Sequence, residues 1–115
     1  MIETDEAICA ARVRELNDAF RKAPHSRGKV CLTRSIAALP LSAQLAILHR
    51  VMNFDAFTED NDPYQEHNFG AIEFDGEKIF WKIDYYDLAC EYGSDDPSDP
   101  AQTTRVMTIM RANEY

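Results

Sequence analysis

The dipeptide Asp75-Gly76 constrains this chain more than any other feature. It stands between Phe69–Phe74 and Glu77–Tyr86, two runs rich in aromatic and β-branched residues. An Asp-Gly pair readily takes the positive φ angles that a two-residue hairpin turn requires. Alternation along the second run sends Ile79, Trp81, Ile83 and Tyr85 to one face and Phe80, Lys82, Asp84 and Tyr86 to the other. The first set, with Ile72 and Phe74, needs an apolar layer over it. A chain of 115 residues with 45% hydrophobic content can supply one such core, so residues 1–115 read as a single domain.

Two helices supply the covering layer. Residues 4–22 carry Thr4 as a cap, Asp5 and Glu6 at the positive end, and Arg21 and Lys22 at the other, with Cys9, Val13, Leu16 and Phe20 as the apolar stripe. Pro24 and Gly28 stop this helix. A second helix begins near Pro40 and ends by Phe54, its buried row being Leu41, Leu45, Leu48 and Met52, broadened by Ile47 and Val51. Between the helices, Val30-Cys31-Leu32-Thr33 reads as a brief strand in which Cys31 is a small buried residue. Residues 105–110 read as a last strand, central because both of its faces are partly apolar. The expected fold is α+β: an antiparallel sheet of about four strands with two helices on one face.

Charge is unevenly spread. Residues 1–54 hold five acids and eight bases, whereas residues 55–100 hold fourteen acids and only Lys78 and Lys82 as bases, within a net charge of −8. That balance argues against direct binding to nucleic acid or to an anionic membrane, and favours a basic protein surface as partner. Tyr64, Tyr85, Tyr86 and Tyr92 lie among carboxylates, a setting that suits contacts to arginine. No apolar run is long enough to cross a bilayer, and the acidic first residues lack the features of a secretory signal. The three cysteines, Cys9, Cys31 and Cys90, are odd in number and widely spaced, so neither a disulfide framework nor a zinc knuckle is expected and the compartment reads as cytoplasmic.

Chemically active residue types concentrate in residues 60–70, the loop that leads into the hairpin. A two-residue turn at Asp75-Gly76 sets His67 opposite Asp84, Phe69 opposite Lys82 and Glu73 opposite Lys78; a four-residue loop sets His67 opposite Tyr86 with Asp84 one diagonal step away. Either register gathers His67, Lys82, Asp84 and Tyr86 on the outer sheet face. A His–Asp pair beside a lysine is an acid–base arrangement, with Asp62 or Glu66 as metal ligands in a hydrolase. A calcium hand is excluded because the sixth position counted from Asp60 is Gln65, and the histidines His25, His49 and His67 are too scattered for zinc. The four glycines are equally scattered, so no phosphate loop is present. No cofactor is expected.

Several segments together carry a family resemblance. Phe54-Asp55-Ala56-Phe57-Thr58-Glu59-Asp60-Asn61-Asp62-Pro63-Tyr64, then Glu66-His67-Asn68-Phe69-Gly70, Trp81-Lys82-Ile83-Asp84-Tyr85-Tyr86-Asp87 and Thr104-Arg105-Val106-Met107-Thr108-Ile109-Met110 resemble the bacterial family catalogued as domain of unknown function 3768. The resemblance runs from about Asn17 to Tyr115. It implies a bacterial setting, often on plasmids or other mobile elements, and names no reaction. The favoured reading is a non-enzymatic acidic module that inhibits or regulates a basic, nucleic-acid-binding protein. Its contacts would come from Asp60, Asp62, Tyr64, Glu66, His67, Lys82, Asp84, Tyr86, Asp95 and Asp96. The alternative is a small metal-assisted or acid–base hydrolase using His67, Asp84 and Lys82 with Asp62 or Glu66.

Overall fold

A computed structural model describes residues 5–115. Thr4, the expected cap of the first helix, lies outside them. In chain order the elements are α1 (Asp5–Lys22), α2 (Pro24–Arg27), β1 (Lys29–Leu32), α3 (Arg34–Ala37), α4 (Leu41–Met52), β2 (Phe69–Phe74), β3 (Glu77–Tyr86) and β4 (Thr104–Arg111). Short 3-10 turns at Pro100–Gln102 and Ala112–Glu114 flank the last strand. The strands form one sheet in the order β1-β4-β3-β2, so β4 is central and the architecture is α+β. The sheet is antiparallel except at one edge, where β1 runs parallel to β4. That exception is sterically allowed because everything between β1 and β4 serves as the crossover, far longer than a parallel pair needs.

The hairpin forms as its turn chemistry dictates. Asp75 and Gly76 take φ of 53° and 78°, and the ladder pairs Phe74 with Glu77 and Phe69 with Lys82. On the helix side Trp81 is fully buried against Phe54 and Phe57, amid Phe20 of α1, Ile47 and Val51 of α4 and Ile36 of α3. Each large apolar side chain removed from water here contributes about 1.5–3 kcal/mol. Gly70 is required by that packing, since a Cβ at this position would lie 2.4 Å from Trp81 Nε1.

Each helix buries part of the face that apolar spacing suggests, Val13 and Phe20 in α1 and Ile47 and Val51 in α4, and turns the rest of it outward. In α1 the buried residues are Val13, Asn17, Phe20 and Arg21, while Cys9 is exposed. In α4 Ile47 and Val51 face the core, whereas Leu41 and Leu45 are 68% and 57% exposed. Eight of the twelve α4 residues are apolar, so two overlapping stripes exist and contact with the sheet selects the Ile47–Val51 one. Cys31 is exposed too, because β1 is an edge strand and pairing with Thr108 turns Cys31 to the face away from the helices.

Candidate functional site

Two polar clusters lie under α1, where the helix crosses the loop before β2 and the ends of β3 and β4. In the first, Arg105 on β4 is buried and donates through Nε to Asn17 Oδ1 at 2.7 Å and through a terminal nitrogen to Pro97 O at 2.5 Å. Asn17 donates to the Tyr85 hydroxyl at 2.8 Å and to Glu66 O at 3.0 Å, and Tyr85 donates to Glu66 Oε1 at 2.7 Å. Burial, then the bond to Glu66, pushes the Tyr85 phenol far above its ordinary value, so it stays a donor. Burial also pulls the Arg105 guanidinium down from its ordinary value, with Tyr85 opposing that shift.

The second cluster surrounds His67. Its Nδ1 is 2.9 Å from Asp18 Oδ1 on α1, and its Nε2 is 3.6 Å from Asp62 Oδ2. The imidazole stacks flat on Phe57, with centroids 3.7 Å apart and 2° between planes. Arg21 donates to the same Asp18 oxygen at 2.9 Å and to Phe54 O at 3.2 Å, its guanidinium lying over Phe57 and Trp81. Burial alone would raise the Asp18 carboxyl, but hydrogen bonds and charge from His67 and Arg21 outweigh it and hold the group below its ordinary 3.8. Among the described residues Arg21 Nε has no hydrogen-bond partner; the two ring faces beside the guanidinium are its compensation.

The expected His67–Asp84 pair does not form. The hairpin register is the two-residue one, but regular pairing ends where Asn68 O accepts from Ile83 N, and His67 has φ of 56°. That left-handed conformation swings the ring under α1, away from the outer face. Asp84 instead meets Lys82 at 3.0 Å on the outer face, and this bond raises Lys82 above its ordinary value. Tyr86 shares that face. The acid–base trio of the hydrolase reading is therefore split between opposite faces of the sheet.

The remaining named residues fall in the two loops flanking the hairpin. Asp62 is buried and accepts from the backbone N–H groups of Glu66 and His67, each at 3.1 Å. Glu66 is turned to Tyr85, so the two carboxylates proposed as metal ligands serve different partners. Among the described residues no three His, Cys, Asp or Glu side chains converge to hold an ion. Asp96 accepts from Ser98 N at 3.1 Å and Ser98 Oγ at 2.5 Å, closing its own loop. Asp60 and Asp95 are exposed, as is Tyr64 at 78%.

Sequence reasoning missed Asn17, Asp18, Arg21 and Arg105, the groups that anchor these loops. The available signal was the spacing of Asn17 and Arg21, which continue the Val13–Phe20 face at helical intervals. The anchoring has a clear geometric result. The loop before β2 and the loop after β3 leave the same end of the hairpin, and residues 63–66 and 96–98 face each other across a groove floored by α1, of about 670 Å³.

Fold and site together define a class: a two-layer α+β domain whose buried polar seam fixes two acidic loops side by side at one end of a mixed sheet. The chain belongs to the family described as protein of unknown function DUF3768, whose model matches residues 32–114. The match covers both loops and all of the strands but β1, most of which precedes it; α1 also lies ahead of it. No curated protein and no solved structure matches the chain. No helix among the described residues is long and apolar enough to cross a membrane.

Proposed function

We propose that the chain is a non-enzymatic interaction module whose two acidic loops dock on a basic protein surface. The convergence of these loops supports this reading. Of the fourteen carboxylates in residues 55–100, only Glu77 and Asp84 meet a lysine or arginine among the described residues, and neither belongs to the loops. Asp55, Glu59, Asp60, Glu91 and Asp95 stay exposed. Their summed field extends over a Debye length of about 8 Å and speeds encounter with a cationic partner, while Tyr64 and Tyr92 at the loop tips offer ring faces to arginine. A basic surface of this kind is typical of nucleic-acid-binding proteins, so the module acts as an inhibitor or regulator of one, in keeping with the mobile-element setting the family resemblance implies.

The test is affinity capture from a bacterial host lysate with two baits. One is the wild-type chain; the other carries lysine in place of Asp55, Glu59, Asp60 and Asp95. The wild type retains a basic protein at low salt and releases it as salt rises, and the charge-reversed bait does not retain it. Equal retention by both baits, or no retention by the wild type at low salt, rejects the reading.

A further inference from the structure

Arg105 carries a buried positive charge that meets no carboxylate. The residue is 4% exposed; its Nε is spent on Asn17 Oδ1, one terminal nitrogen on Pro97 O, and the Tyr85 ring lies 5.1 Å from the guanidinium. All three neighbours are neutral, and among the described residues Arg105 forms no ion pair. Glu66, the acid of the same seam, is turned to the Tyr85 hydroxyl. Arg12, one turn before Leu16 on α1, stands close enough to disfavour the charge further. A guanidinium taken out of water is ordinarily matched by an anion, because an uncompensated charge in an apolar setting is costly. Arg105 also lines a cavity of about 200 Å³, whose other walls are Leu16 and Phe20 of α1, Pro100 and Thr103. Arg105 is the one charged residue of the five. The cavity shares no lining residue with the groove between the acidic loops.

We propose that this cavity binds a small monocarboxylate, with its carboxylate on Arg105 and its short hydrocarbon tail against Leu16, Phe20 and Pro100. The planar guanidinium fork matches a carboxylate in shape and in charge. A single negative charge neutralises the buried cation; a doubly charged ion would leave a surplus of the sign that the chain, at net −8, already carries. The apolar walls also disfavour sulfate and phosphate, since they offer few hydrogen bonds to replace the lost water. At the roughly 30 Å³ that a water molecule takes in the liquid, the cavity has room for about six non-hydrogen atoms, the size of butyrate. Pro100 is exposed and Leu16 half-buried, so the cavity opens to solvent on their side. The proposal stands apart from the acidic-loop reading, which uses none of these residues.

Titration of the full chain with sodium butyrate tests it, with ionic strength held constant by sodium chloride. A ligand this small binds with a dissociation constant of about 1 mM, so the series runs to about 50 mM. The backbone amide resonances of Leu16, Phe20, Thr103 and Arg105 shift saturably, and the thermal midpoint rises with butyrate. Butyramide, neutral and of the same shape, produces neither change. Sulfate raises the midpoint by exclusion from the protein surface without moving these resonances. Leu16→Trp sets an indole in the cavity, and the variant keeps its far-UV spectrum while its response to butyrate disappears. A tripeptide with a free terminal carboxylate is too large for the cavity and leaves the resonances in place. The proposal is overturned by an absence of shifts up to about 50 mM, by equal shifts with butyramide or sulfate, or by shifts centred on residues 9–14 of the groove. Undiminished binding by Leu16→Trp overturns it as well, and so does tighter binding of the tripeptide, which would make the occupant a chain terminus.

Discussion

Asn17 is the residue on which the polar seam turns. Its side chain bonds Arg105 from β4, Tyr85 from β3 and Glu66 from the loop, so one helical position ties three segments together. Asn17→Ala strips the buried Arg105 of its Nε acceptor, though Pro97 O and the Tyr85 ring stay beside it, and also removes the bonds to Tyr85 and Glu66 O. The loss of a hydrogen bond to a charged group alone costs about 1.5–3 kcal/mol, so the variant falls at or above the top of that range. Tyr85→Phe removes the phenol's hydrogen bond to Glu66 and the one it accepts from Asn17, while Asn17 keeps Glu66 O and Arg105, and costs roughly 1–2 kcal/mol. Urea midpoints for the two variants check the order. Asp18 adds a pH dependence of known sign. Its carboxyl is held below 3.8 in the folded chain, so its contribution is complete above 3.8 and is lost as pH falls through the lower folded value. Asp18→Asn removes that contribution at neutral pH, and the gap between its urea midpoint and that of the wild type narrows as pH falls from about 5 to about 2.

At the scale of elements, the strands were far more legible than the helix faces. The hairpin announces itself because turn chemistry and alternation agree, and its register follows from the two-residue turn alone. Helix α4 could not announce its face, since its apolar residues form two overlapping stripes and only the sheet decides between them. The consequence is measurable. Leu45→Gln, at the centre of the expected row, shifts stability by no more than about 0.5 kcal/mol, whereas Ile47→Ala costs about 2–5 kcal/mol. Thermal unfolding of the two variants distinguishes these values. The candidate site was legible in part. Residues 60–67 stood out by composition, but the swing of His67 depends on a backbone angle that local spacing does not encode. Its partner Asp18 lies 49 residues away on another element.

At the scale of the whole molecule, composition announced an acidic chain but not its two-sidedness. The lysines of the hairpin line the sheet face away from α1 and α4 and the carboxylates gather in the loops at one end, because alternation governs the first group and loop anchoring the second. The order β1-β4-β3-β2 carries a further consequence for synthesis. A ribosome delivers this chain amino end first, and the strand that must slot between β1 and β3 is the last to emerge. Until it does, Trp81 and Ile83 have no Met107 or Ile109 beside them, and Asn17 has no Arg105 to bond. Nascent chains stalled before residue 104 are therefore cut readily by protease, whereas full-length chains freed from the exit tunnel resist; the polypeptide commits to its native form in one late step.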